Sequence, residues 1–400
     1  SNKNVMSNSS VATSRLHVSR QQIAPLPVGA LFFLLLTTLS RWNSVIVSSP
    51  NNDADATNSS SQTENKSRSH QAPGKLRFDW TNMTLSSDLA KRIHAHQNNC
   101  SLPLAPNGTL YPYGLGSSLH SWSNRACGDL TRGLRTWTTN TAKEPWIWLD
   151  ESKCDVNAVS PLSCYFPSME LQCPNDVVAP RASGKPKSYW GCVDRILGNN
   201  TSTHDNMLAL RAATTEYMFH NVSRLVVDEA ERQLRLVFPG VVPSKLITIH
   251  VRWGDKIIAE MKKVPIQDYV DGVKRILVNR NDNDQVNIFL ATEDPNAVQE
   301  FKQAAPQDWN IYVDQYFHDM KEYRPEKASG QNNNVNAKKT NGRAGLISLG
   351  SLLLAMEADD FVLTTASNWS RLMNELRKNV LDPRCNGCTN MVDLRPGKVA

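Results

Sequence analysis

Residues 245–251, KLITIHV, begin the run of alternating elements that decides the fold. β-Branched residues dominate this stretch and predict a buried strand. Residues 265–278 follow with Tyr269, Val273, Ile276 and Leu277 on one helical face, and residues 286–290, VNIFL, read as the next strand. Asp294-Pro295 starts a helix, because proline is favoured in the first turn where its missing N–H is not needed. Residues 310–313 are a third strand, 346–356 a further helix and 361–364 a fourth strand, which runs into Ser367 and a helix reaching residue 379. Strands alternating with helices of about 10 to 15 residues predict an α/β fold with a parallel, doubly wound sheet. In such sheets ligands sit at the carboxyl ends of the strands.

Upstream, residues 105–243 form a first half and residues 244–400 a second. In the first, Tyr113-Gly-Leu-Gly116 precedes a predicted helix over 119–137, and residues 145–149, PWIWL, read as a buried strand. Leu208, Ala212, Thr215 and Phe219, then Val222, Leu225, Val226 and Ala230, recur at helical spacing and predict one long helix within 206–236, ended by Pro239-Gly240. Residues 48–104 are rich in Asn, Ser, Thr and Asp, a composition that reads as a disordered stem. Before it, residues 24–39, APLPVGALFFLLLTTL, carry no charge; extended past Arg41 to Val47, the stretch reaches the length of a membrane span. No small-x-small cleavage site follows, which favours an uncleaved anchor over 24–47. Lys3, Arg15 and Arg20 place the 1–23 tail in the cytoplasm and the bulk of the chain in the lumen.

The 400 residues suffice for two or three domains. A net charge of +6 with no run of five like charges gives no sign of a nucleic-acid partner. Asn58, Asn65, Asn82, Asn107 and Asn221 each begin an Asn-x-Ser/Thr triplet, in keeping with a secretory route. All eight cysteines, from Cys100 to Cys388, follow the anchor, and an even set in a lumenal compartment predicts disulfides of open pairing. Cys385-Asn-Gly-Cys388 has zinc-like spacing, but no second pair completes four ligands, and His94-Ala-His96 is the only other candidate.

Three strand ends carry chemistry. The first is His250-Val-Arg252-Trp-Gly-Asp255-Lys256, the second Ala291-Thr292-Glu293-Asp294, and the third Thr364-Thr-Ala-Ser367-Asn368-Trp-Ser-Arg371. The last leads into a helix N-terminus, whose free N–H groups and dipole favour an anion such as a phosphate. Taken singly each has a plain structural role: an Arg or Asp in a surface ion pair, Ser367 as N-cap, and Glu293-Asp294 as an acidic pair at a helix start. Asn368-Trp-Ser370 is formally a glycosylation triplet too, poorly placed if the helix starts inside the core.

In their order and spacing these residues resemble the α1,6-fucosyltransferase family, including the nodulation fucosyltransferases. The resemblance rests on His250-Val-Arg252-x-x-Asp255-Lys256-x-x-x-Glu260, on Pro265-Ile-x-x-Tyr269, on Phe289-Leu-Ala-Thr-Glu-Asp-Pro295, and on Ala358-Asp359 through Ser367-Asn368 to Arg371. It spans roughly residues 245–375, with a fainter echo at Gly114-x-Gly116-x-x-x-His120. It implies an inverting GT-B glycosyltransferase with two Rossmann-like halves, the first on the acceptor side and the second on the GDP-fucose side. Tail, anchor and stem ahead of a lumenal catalytic domain is the organisation of single-pass type II Golgi glycosyltransferases.

The resemblance implies GDP-fucose as donor and a glycan or glycoprotein as acceptor. Arg252 would hold the β-phosphate and stabilise the departing GDP, and His250 would lie near the nucleoside. Ser367 and Asn368 would bond the diphosphate, with Thr364, Ser351, Gly114 and Gly116 also on the donor side. Asp255, Lys256 and Glu260 would handle the acceptor proton, Glu260 as general base. Trp253 stands where many members have a second Arg, and Ser351 where the family has an Asp near the base. No Asp-x-Asp falls at a predicted strand end, so metal-independent transfer with no cofactor is expected, and a homodimer is left open. Transfer could be α1,6 to the N-glycan core. A protein O-fucosyltransferase or other GDP-sugar transferase, and a non-catalytic membrane-anchored sugar-binding protein of the same fold, are the alternatives.

Overall fold

The computed structural model describes residues 72–106, 108, 110, 113–139, 146–158, 160–180, 203–253, 262–280, 284–323 and 333–395. The tail, the anchor and the stem up to residue 71 lie outside the described residues. All described residues belong to one compact unit. Among them no helix is long and apolar enough to cross a membrane.

In chain order the main elements are α1 Asp88–Gln97, α2 Leu115–Leu130, α3 Thr203–Phe219, α4 Arg224–Val237, β1 Ile247–His250, α5 Ile266–Arg280, β2 Asn287–Ala291, α6 Pro295–Ala304 and β3 Asn310–Val313. They continue with α7 Gln315–Asp319, α8 Asn333–Lys339, α9 Arg343–Ala355, β4 Asp360–Leu363, α10 Asn368–Leu376, α11 Asp382–Cys385 and β5 Asn390–Asp393. The five strands form one parallel sheet in the order β3-β2-β1-β4-β5. Ile249 lies level with Leu290 and Val362, and Leu290 with Val313, so the carboxyl ends of the four inner and left-hand strands finish in one plane.

Alternation along the strands explains why both faces are covered. Ile247, Ile249, Ile288, Leu290 and Val362 point to one side, into a core shared with Tyr269 and Val273 of α5 and Phe301 of α6. Phe289, Ala291, Phe361 and Leu363 point to the other, into a larger core built with α4, α9 and α10. Side chains alternate with period two, so a strand buried on both faces must be apolar throughout. Such burial yields roughly 25 cal/mol per Å² of apolar surface.

Several expectations are corrected. The long helix within 206–236 is two helices, broken at 220–223, because the backbone there serves another segment: Val222 N–H donates to Trp80 O at 2.8 Å, and His220 O accepts from Met83 N–H at 2.7 Å. That partner lies in the stretch read as stem. Residues 72–104 instead join the main core, with Trp80 wholly buried and Ala90, Ile93 and Gln97 on the inner face of α1. The predicted helix over 119–137 starts earlier and ends at Leu130. Residues 146–149 form a turn rather than a strand, closed by the Tyr165 hydroxyl, which donates to Trp148 O at 3.0 Å and accepts from Asp150 N–H at 2.8 Å. Among the described residues of 105–243 β character is confined to isolated bridge positions at Arg135, Thr139 and Val178, and no strand is found among those residues. The fifth strand, NMVD, was not anticipated; it is a short, half-exposed edge.

Disulfides join Cys100 to Cys173, Cys154 to Cys164 and Cys385 to Cys388, and Cys127 is disulfide-bonded as well. The Cys-x-x-Cys pair is thus a disulfide that precedes β5. Among the described residues His94 and His96 belong to no metal-holding group: His94 packs edge-on against Tyr217 and His220, and His96 bonds Leu134 O at 2.8 Å.

Candidate functional site

The strand order reverses direction between β1 and β4: the chain moves outward through β2 and β3, then returns to add β4 and β5 on the far side. Crossover helices diverge at such a point and leave a crevice above the strand ends, where ligands of open α/β sheets bind. A cleft lies there, with about 970 Å³ of empty space that includes its opening to solvent. His250, Arg252, Glu293, Asp314, Ser351 and Ser367 contribute to its walls, so β1, β2, β3 and the β4–α10 turn all reach it.

Two helix N-termini meet in this cleft. The first is α10, whose N-cap residue Ser367 makes no side-chain capping bond. The second is α2, capped by Gly114, which has no side chain to offer. Each helix leaves its first N–H groups without intrahelical acceptors, and each dipole places partial positive charge at that end. The helices are held in register by the Asn368 amide, which donates to Ser117 Oγ at 2.6 Å, and by the buried His120–Glu375 pair at 3.0 Å. Gly116 permits the approach: a Cβ there would stand 3.2 Å from Trp369 Cε3 and 3.3 Å from the Asn368 and Trp369 backbone. At Gly114 a Cβ would meet nothing within 4 Å.

Arg252 is buried in the cleft wall, donates to Trp253 O at 2.7 Å and forms an ion pair with Glu293. Glu293 is therefore more than a helix-start acid; capping of α6 is done by Asp294, which accepts from Asn296 N–H at 2.9 Å. His250 is buried beside them, its Nδ1 2.6 Å from Ser370 Oγ. Burial and the neighbouring Arg252 charge push its pKa down to about 3, so the imidazole is neutral at pH 7. Trp253 turns away from the cleft, donating to Val264 O at 3.0 Å under the Lys263 ammonium.

At the other end of the cleft, Asp314 follows β3 directly. Its carboxylate accepts from Tyr316 N–H at 3.0 Å and from Ser351 Oγ at 2.5 Å. The structure thus places Arg252, His250, Ser351, Ser367, Asn368, Gly114 and Gly116 around one space. Thr364 is not among them: it is wholly buried, with Oγ1 lacking a hydrogen-bond partner. Asn368 lines the cleft, and its side chain is committed to Ser117 and Arg371. Asp255, Lys256 and Glu260 lie outside the described residues.

Sequence reading missed Asp314, Trp148, Tyr316 and Trp369 in the lining. The strand-end rule would have found Asp314 had it been applied to 310–313 as to the other three strands. No sequence signal announces Trp148, which comes from a turn 99 residues before β1. No group of three or more His, Cys, Asp or Glu able to hold a metal ion occurs among the described residues. Compared with known proteins, the chain matches no family model, and no curated protein matches it.

Proposed function

We propose that this chain transfers fucose from GDP-fucose, with inversion, to a hydroxyl of a glycan or glycoprotein. The observation that carries the reading is the convergence of Arg252 and two helix N-termini on the switch-point cleft. Departure of GDP leaves negative charge on a diphosphate, and oriented N–H groups with a buried guanidinium stabilise that charge without reorganising. Asp314 adds a carboxylate at the far end, where Ser351 alone offered only a hydroxyl. Carboxylate oxygens accept the paired N–H groups of a guanine edge, an acceptor pattern that adenine does not match.

His250 stays neutral and buried, suited to hydrogen bonding at the nucleoside side rather than to proton transfer at pH 7. The acceptor proton would go to Glu260, with Lys256 and Asp255 beside it; these roles rest on the sequence resemblance. Such a base contributes about 10²–10⁴ in rate. A type II Golgi location belongs to the same reading and is supported by the disulfides, which persist in oxidising compartments.

The test is GDP release by the full chain given GDP-fucose and a panel of N-glycan and protein acceptors, with EDTA present. Acceptor-dependent release that disappears in Arg252→Ala is expected. A folded chain that binds GDP-fucose but turns over with no acceptor would instead favour the non-catalytic sugar-binding reading.

A further inference from the structure

We propose that Asn82 carries an N-linked glycan, and that Asn221 and Asn368 do not. Each of the three begins an Asn-x-Ser/Thr triplet among the described residues. Asn82 is exposed, directly after the turn in which its N–H donates to Asp79 O at 3.3 Å. Residues 83–86 then run without helix or strand toward α1, and Thr84 is exposed as well. Amide and hydroxyl thus sit on an accessible, non-helical segment, which a transferase must engage in both groups at once.

There is also room for the product. A shallow depression of about 390 Å³ adjoins Asn82, with Phe78 and Pro383 on its rim and Arg384 beside them, donating to Thr84 O at 2.9 Å. An apolar rim next to guanidinium donors suits the first sugar, whose ring has an apolar face and a hydroxylated edge.

The other two triplets are closed. Asn221 is half-buried and donates to Ser168 Oγ, while Val222 is wholly buried and Ser223 Oγ is inaccessible without a hydrogen-bond partner. Asn368 is tied to Ser117 in the cleft wall, and Ser370 is wholly buried. A glycan at Asn221 would have to break the packing around Val222, and one at Asn368 the contact between the two helix N-termini at the cleft.

In the reaction, Asn82 Nδ2 forms a bond to the anomeric carbon of a lipid-pyrophosphate-linked oligosaccharide. The carbon–oxygen bond to the pyrophosphate breaks, the lipid pyrophosphate leaves with the electron pair, and the amide loses one proton. The inference needs an oxidising secretory compartment, to which the disulfides point, and is independent of the transferase reading.

The experiment expresses the full chain behind a secretory leader in a eukaryotic host and releases N-glycans enzymatically in isotopically heavy water. Peptides are then read by mass spectrometry from both medium and cell extract. The heavy-isotope Asn-to-Asp mark is expected at Asn82 and absent at Asn221 and Asn368. Thr84→Ala should remove the mark and leave the circular dichroism unchanged, since the Thr84 side chain is exposed. An unmarked Asn82, or a mark at Asn221 or Asn368 in the folded, disulfide-bonded chain, overturns the inference.

Discussion

Arg252→Ala should have two separable consequences. The Arg252 side chain is 8 % exposed and its partner Glu293 19 %. Removing the guanidinium leaves Glu293 without this cation in a poorly hydrated place, and losing one partner of a buried pair costs about 3–5 kcal/mol. The residual hydration of Glu293 puts the expected loss near the lower end, about 3 kcal/mol. In the ligand-bound state the same change deletes a charged hydrogen bond worth about 1.5–3 kcal/mol, which weakens GDP binding about 10- to 150-fold. Adding Glu293→Gln removes the stranded charge, so the double variant should recover most of the stability yet bind GDP as weakly as the single one. Denaturant unfolding follows the first quantity, and calorimetric titration with GDP and GMP the second. GMP lacks the second phosphate and should respond less. A folded R252A chain that binds GDP within about threefold of the wild type would refute the assignment of Arg252 to the diphosphate.

Other outcomes follow from the same geometry. Asp314→Asn keeps an acceptor for Tyr316 N–H but loses the charge, so GDP binding should weaken by about tenfold while ADP binding stays near its starting value; equal losses for both would sink the base-reading role. His250 is held neutral with a pKa of about 3 against about 6.5 when unfolded, so the unfolded chain takes up the proton first as pH falls. Its contribution is therefore present above the unfolded value and is lost between about pH 6.5 and 3, at up to about 1.4 kcal/mol per unit. The stability difference between wild type and His250→Asn should shrink from pH 7 to 4, and a flat difference would contradict the burial. Gly342 has φ +80°, and a Cβ there would stand 1.7 Å from Leu149 O, so Gly342→Ala should destabilise by about 3 kcal/mol or more and shift Trp148 in the cleft wall. Denaturation followed by tryptophan fluorescence checks both effects.

The parallel sheet was legible because its strands are apolar on both faces and each is followed by a periodic helix. Residues 310–313 match the observed β3, 287–291 lies within one residue of the expected strand, and 247–250 falls inside the expected 245–251. Signals of this kind are local, since apolar period and start residues are written into a window of ten residues or so. Asp294 could be read as a helix start for the same reason, because an N-cap bonds its own next turn. NMVD was missed because an edge strand needs little apolar character, and Asn390 is placed by its bond to Asp360 instead.

Where the reading failed, a distant partner had overruled a local preference. PWIWL has the composition of a strand, but Tyr165 and the glycines of α9 at Gly342 and Gly345 press residues 146–149 into a turn. Residues 72–104 look too polar to pack, yet Trp80, Ile93 and the backbone around Met83 fill a gap that the 220–223 break leaves open. The sequence by itself determined the sheet, the strand ends and the residues that crowd them. Only the tertiary structure decided that Gly116 would meet Trp369, that Arg252 would pair with Glu293, and that Asp314 would face Ser351. Those pairings join residues 37 to 253 positions apart along the chain, and no local period encodes a contact that exists only once both core faces have closed.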